Sequence, residues 1–145
     1  MRRSFLLLAL TVLCFGAAAT QARADEVVYV PAAKVTATMT TPGGLASGSD
    51  HNVSISRRDK TGQSEVHDNE TDVFYVMEGS ATFVTGGTIV DAKTPSPGQV
   101  RGTGISGGTT HMLKKGDVIA IPKGTPHWFK EVPSVVVYFV VKAKS

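Results

Sequence analysis

Two histidines and several carboxylates sit where short apolar segments begin or end. His127 closes the run Gly116-Asp117-Val118-Ile119-Ala120-Ile121-Pro122-Lys123-Gly124-Thr125-Pro126-His127. A glycine turn enters a short apolar strand, and a Pro-x-Gly turn leaves it. That order aims the imidazole back into whatever the strand packs against. His67 lies upstream in Glu65-Val66-His67-Asp68-Asn69-Glu70-Thr71-Asp72, ahead of a second apolar run ending in Glu78-Gly79. Glu65 and His67 are two residues apart on a strand, so their side chains share a face. Asp72 begins the next strand, with Phe74 and Val76 on its face. Imidazole nitrogens with carboxylate oxygens suit a divalent transition metal. Two His and one carboxylate form the facial triad of non-haem Fe(II) sites, and zinc and manganese accept the same donors. The expected cofactor is one divalent ion, Fe, Mn or Zn.

The elements that must position these residues are strands. One short N-terminal helix is predicted over Pro31 to Met39, with Pro at a first-turn position and Pro42-Gly43-Gly44 ending it. Strands are predicted over His51 to Arg58, Ser64 to His67 and Asp72 to Glu78. Glu78-Gly79-Ser80 reads as a tight turn after which Ala81 to Thr85 pairs back. Gly86-Gly87 breaks the pattern before Thr88 to Val90. The polar stretch from Asp91 to Gly108 holds two prolines and five glycines. So long a loop in a small domain is expected to be functional or disordered, and it is a candidate lid. Strands resume over Thr109 to Leu113, Asp117 to Ile121 and Pro126 to Lys130. Val135 to Val141 is apolar on both faces and needs cover on both, from the barrel interior and from a second sheet or subunit. A homodimer is therefore expected. Many short strands at regular spacing predict an all-β sandwich or barrel.

Residues 1–24 read as a secretory signal peptide rather than part of the fold. Arg2 and Arg3 form a positive start, Phe5 to Ala19 is almost wholly apolar, and Ala22-Arg23-Ala24 fits the cleavage pattern. The twin arginine also resembles the export signal for proteins folded in the cytoplasm, although the short start favours the general route. The expected mature chain is a single domain over residues 25–145, secreted or periplasmic after cleavage near Ala24. The one cysteine, Cys14, leaves with the leader, so a packed core must hold the domain without disulfides. The leader also takes three of the 15 Lys+Arg residues. That leaves 12 against 12 Asp+Glu, and the formal charge falls from +3 to zero. A neutral domain offers no electrostatic case for nucleic acid or for an anionic membrane. No Gly-rich loop joins a strand to a helix, so nucleotide binding is not indicated.

These residues resemble the motifs of the cupin family, which implies a double-stranded β-helix, or jelly-roll, barrel. The family's first motif reads Gly, five residues, His-x-His, three or four residues, Glu, six residues, Gly. Here Glu65 takes the first His position, His67 the second, Asp72 the Glu position and Gly79 the closing Gly, while Asp59 stands for the opening Gly. The second motif reads Gly, five residues, Pro-x-Gly, two residues, His, three residues, Asn. Here that is Gly116, Pro122, Gly124 and His127, with Glu131 in the Asn position. The resemblance implies metal ligands at Glu65, His67, Asp72 and His127. Glu in place of His adds charge and shifts preference toward harder ions.

Around that set, His111, Phe74, Trp128 and Arg57 are candidates for a substrate pocket. His111 shares a face with Leu113, and Trp128 and Phe129 alternate, so that one of them lines the pocket and the other packs outward. Arg57 and Arg58 end a strand, and one of them entering the barrel mouth would suit a substrate carboxylate. Asp68 and Glu70 are expected in a solvated turn, His51 at the surface and Tyr75 in the core. Glu65 or Asp72 would serve as a base if not a ligand. The leading expectation is an exported cupin holding one metal and a small organic ligand, with oxygenase- or isomerase-type chemistry. The alternative is a non-catalytic binding or structural barrel with a degenerate metal site.

Overall fold

The computed structural model describes residues 26–144, and the predicted leader lies outside them. Among the described residues there is one short helix, α1 (Ala32–Thr40), followed by twelve strands. These are β1 (Gly43–Ser47), β2 (His51–Arg58), β3 (Ser64–His67), β4 (Glu70–Thr85), β5 (Thr88–Val90) and β6 (Lys93–Ser96). Then come β7 (Gln99–Gly102), β8 (Gly104–Ser106), β9 (Thr109–Lys114), β10 (Val118–Ile121), β11 (His127–Glu131) and β12 (Val136–Lys144). Pro31 caps α1 from an extended conformation, where its missing N–H is no loss.

The strands form two antiparallel layers that share β4. Its first half lies between β12 and β10, with β2 and β1 continuing that layer. Its second half lies between β11 and β9, and β3, β7 and β6 follow β11. The predicted turn at Glu78–Ser80 is therefore corrected: β4 runs 16 residues without reversing. Gly79 is where the strand bends from one layer into the other. Its φ is +72°, and a Cβ there would lie 1.8 Å from the Val135 carbonyl oxygen, so only glycine fits. Register also slips by one residue beside it, between the Val137–Glu78 and Tyr138–Val76 pairs. Such a bulge increases local twist and lets a strand turn the corner of a barrel.

The polar stretch after Asp91 is likewise not a free loop. β7 pairs along the whole of β3, and β8 pairs with β5, so the segment predicted as a lid is wall. Pro97, Gly98, Gly107 and Gly108 sit in the turns between these very short strands, while Pro95, Gly102 and Gly104 lie within them.

Between the layers lies an apolar core of Phe74, Val76, Ala81, Phe83, Leu113, Ile121, Phe129, Val136, Tyr138 and Val140. Alternation along the strands sends these side chains inward. Phe129 meets Phe83 edge-on at 4.7 Å, stacks on Phe74 at 6.0 Å and tilts against Tyr138 at 4.9 Å. Val136 and Val137 are fully buried within the single chain, although they face opposite ways on β12. Helix α1 contacts β2 on the outer side, and Thr38 is buried there. Tyr75, expected in the core, faces outward on β4 at 45% exposure.

Candidate metal centre

Glu65 and His67 project from the end of β3, Asp72 from the start of β4 and His127 from the start of β11. β3 pairs with β11, and the register sets His127 opposite Glu65. The Pro122–Gly124 turn is fastened to the same place, because Gly124 N–H donates to the His67 carbonyl at 2.8 Å. Gly124 has φ +74°, the left-handed conformation this turn needs. The four side chains implied by the family motifs thus converge on one point inside the barrel.

The distances there describe a cluster of acceptors. His67 Nε2 lies 3.3 Å from Glu65 Oε2 and 3.5 Å from Asp72 Oδ2. His127 Nε2 lies 3.9 Å and 3.7 Å from the same two oxygens. Donors about 2.1 Å from a shared ion stand about 3.0 Å apart in octahedral and about 3.4 Å apart in tetrahedral geometry. Two sets of mutually close donors meet at His67: Glu65, His67 and His127, and His67, Glu70 and Asp72.

The tautomers are set from behind. His127 Nδ1 sits 3.0 Å from the Thr125 carbonyl oxygen, which can only accept. His67 Nδ1 sits 2.7 Å from Gln99 Oε1. Each ring can therefore donate from Nδ1, and in its neutral form Nε2 then presents a lone pair to the cluster, as metal-binding imidazoles do. His67 is buried, and among the described residues its Nε2 has no hydrogen-bond partner. Burial lowers the His127 pKa below its usual 6.5, which keeps the ring neutral and its lone pair free. Burial alone would raise the Glu65 carboxyl. His67, Arg101, His127 and Arg58 outweigh it and hold the group at about 2. Two imidazole nitrogens and two carboxylates so close together are the donor types a divalent ion takes, so these residues fit one.

Charged neighbours surround the donors. Lys142 Nζ, from β12, forks onto both Asp72 oxygens at 2.8 and 3.0 Å and reaches Glu70 Oε2 at 3.3 Å. Glu70 is thus paired in the site, not placed in a solvated turn. Arg101 approaches Glu65 Oε2 at 3.2 Å, and Arg58 approaches Oε1 at 3.5 Å. Lys142, Gln99 and Tyr138 were not singled out from the sequence. The one available signal was the inward phase of Tyr138, Val140 and Lys142 on β12.

A cavity of about 110 Å³ opens beside the cluster, lined by Arg58, Phe74, Trp128, Phe129 and Tyr138 among others. Phe74 and Trp128 are among its lining residues. Trp128 and Phe129 both reach the cavity, because Trp128 sits at its rim with Nε1 on the Gly62 carbonyl at 2.8 Å. Arg57 does not: the phase of β2 turns it outward and exposed, and Arg58 enters instead. His111 is also absent from the cavity. It lies across from Phe83 on β9, with Nε2 at 2.8 Å from Thr85 Oγ1.

A family model described as Cupin matches residues 49–145. This chain belongs to the cupin family. No curated protein matches it. Among solved structures, the cupin resembles BH2720 of Bacillus halodurans at 14% identity and TM-score 0.57, covering 81% of each chain. It also resembles the cupin domain of Schizosaccharomyces pombe Cnp3 at 12% identity and TM-score 0.52. That match covers 72% of this chain and 60% of the other. At such identities the likeness is one of fold.

Proposed function

We propose that this cupin is exported, holds one divalent ion, Fe, Mn or Zn, on Glu65, His67, Asp72 and His127, and binds a small organic ligand in the adjoining cavity. The observation that carries the reading is His67 Nε2, a buried nitrogen without a hydrogen-bond partner that lies beside two carboxylates and the His127 ring. A bound ion would supply Lewis acidity toward an oxygen of the ligand. The chain's own groups do the rest. Burial raises the Tyr138 hydroxyl above its usual 10, so at neutral pH it stays protonated and can donate in the cavity. Arg58 Nε donates to that hydroxyl at 3.0 Å and fixes both side chains. Phe74, Phe129 and Trp128 give the ligand an apolar wall.

Neither carboxylate suits proton abstraction. A Glu65 held near pKa 2 is a weak base, and Asp72 is forked on Lys142. This favours ligand binding, with or without polarisation, over chemistry that removes a proton. The non-catalytic barrel is accordingly the second reading.

Elemental analysis of mature protein purified without added metal tests the centre. One equivalent of Fe, Mn or Zn is expected, lost in His67→Ala and His127→Ala. Folded protein that takes no ion in titration would sink it. Export is checked by the N-terminus of the mature protein, expected at Asp25. A homodimer would use the outer face carrying Tyr75 and Val118, which are 45% and 65% exposed. Sedimentation showing only monomer removes it.

A further inference from the structure

Val27-Val28-Tyr29-Val30 has the composition of a strand, yet no strand pairs with it among the described residues. The segment lies ahead of α1 without regular structure, with Val27 97%, Val28 54% and Tyr29 84% exposed. The outer face of the β1-β2-β12-β4-β10 layer is also incompletely covered. Alternation places Val73, Tyr75, Val118, Ala120, Phe139 and Val141 on it, and none of the six is buried. An antiparallel layer with one face in water carries polar residues on that face, and this one carries apolar residues. One chain thus holds a free apolar arm and a free apolar face.

Resting on the homodimer reading above, we infer that residues 27–30 of one copy form a strand along the free edge of β10 in a second copy, reciprocally about a twofold axis. The edge is selected by what guards the others. β1 is bulged between Gly44 and Ala46, β6 carries Lys93 and Pro95, and β9 is mostly polar. β10, Val-Ile-Ala-Ile, has no charge, no proline and no bulge, and its outward Val118 is 65% exposed. The arm matches it in length. Alternate side chains of the arm would extend the outer face beside Val118 and cover the flank of Ile119, which is only partly buried. An arm apolar at every position serves both faces. The second copy follows from reach. Helix α1 contacts β2, and β12 and β4 separate β2 from β10. A strand beyond β10 would lie four strand spacings from β2, roughly 19 Å. Four extended residues span at most about 14 Å, so the arm cannot lie along its own β10.

Sedimentation over a range of concentrations is the test, on protein beginning at Asp25. A dimer is expected, and deleting residues 25–30 should raise its dissociation constant about 100-fold or more. Val118→Lys should raise it at least about tenfold by placing a charge on the receiving edge. The decisive sample mixes the two altered chains. Neither homodimer has an intact arm-to-edge contact, because one lacks arms and the other lacks usable edges. A mixed dimer regains one such contact, so the mixture should associate more tightly than either chain alone. A mixture no tighter than its components would overturn the inference. So would a dissociation constant unchanged by the deletion, and both results leave the homodimer reading standing. Protein that is monomeric at every concentration overturns both. Should Val118→Lys fail to fold, Ala120→Lys takes its place in the mixture.

Discussion

Phe83 and Glu65 belong to two adjoining regions of one barrel interior, one apolar and one ionic. Phe83 is fully buried among Phe74, Phe129 and Ala81, where shape and apolar area hold the layers together. Glu65 is one-fifth exposed among two imidazoles and two guanidiniums, where nearly every contact is electrostatic. Both regions meet at His127, whose ring lies 6.1 Å from Phe83 and 6.5 Å from Phe74. The same strand, β4, supplies Asp72 to one region and Phe83 to the other. The difference shows how a chain of this size can hold so many buried charges: the apolar region stabilises the fold, and the ionic region mostly balances itself.

The comparison breaks first if the apolar region does not dominate stability. Phe83→Ala is expected to lower unfolding free energy by about 3–5 kcal/mol, the largest effect of any single change considered, read by urea denaturation. A loss below about 1 kcal/mol would mean that the ionic region carries the fold.

Acid titration addresses the ionic region. Glu65 has its folded pKa depressed to about 2 from 4.5, so its contribution is present above 4.5 and lost as pH falls toward 2. The contribution is on the order of 3 kcal/mol. His127, lowered from 6.5, adds a term present above 6.5 and lost as pH falls below it. Glu65→Gln should flatten the limb between pH 4.5 and 2 and leave the His127 limb. An unchanged acid limb would show that Glu65 is not held by its neighbours.

Lys142→Met sharpens the contrast by leaving Asp72 and Glu70 without their cation. Ion-free protein should lose about 1–3 kcal/mol, the range for a buried polar group stripped of its partner. Added Mn(II) should restore more stability to this variant than to the unaltered chain, because the ion takes over the balancing of Asp72. Equal stabilisation of both would mean that Lys142 and the ion do not share that carboxylate.

The smallest effect is expected behind His67. Gln99→Leu removes the acceptor on Nδ1 and should weaken metal binding about 10- to 100-fold, with little change in stability. Unchanged metal affinity would show that the Gln99 contact does not set the tautomer.

Much of this arrangement was legible in the residues. Alternation and turn signals placed most of the strands. The Gly116–His127 run marked a turn-strand-turn that brings His127 inward, and the two-residue spacing put Glu65 beside His67. Other features depend on partners distant in sequence. Glu78-Gly79-Ser80 has the composition of a hairpin turn, and only the Val135 backbone pressed against Gly79 shows that the strand bends and continues. The short strands after Asp91 have little apolar content, and β7 becomes wall because β3 offers it an edge. Which of Arg57 and Arg58 enters the barrel depends on the phase of β2 against β12. Lys142 ends an apolar strand, where lysine ordinarily reaches for solvent. Asp72, opposite it across the pair, and Glu70 turn it inward.

The main-chain hydrogen bond from Gly124 to His67 has a kinetic meaning. It staples the carrier of one imidazole to the backbone of the other, so folding alone assembles the donors. Capture of an ion then requires little ordering of the chain, and its rate should be limited by desolvation of the incoming ion rather than by loop closure.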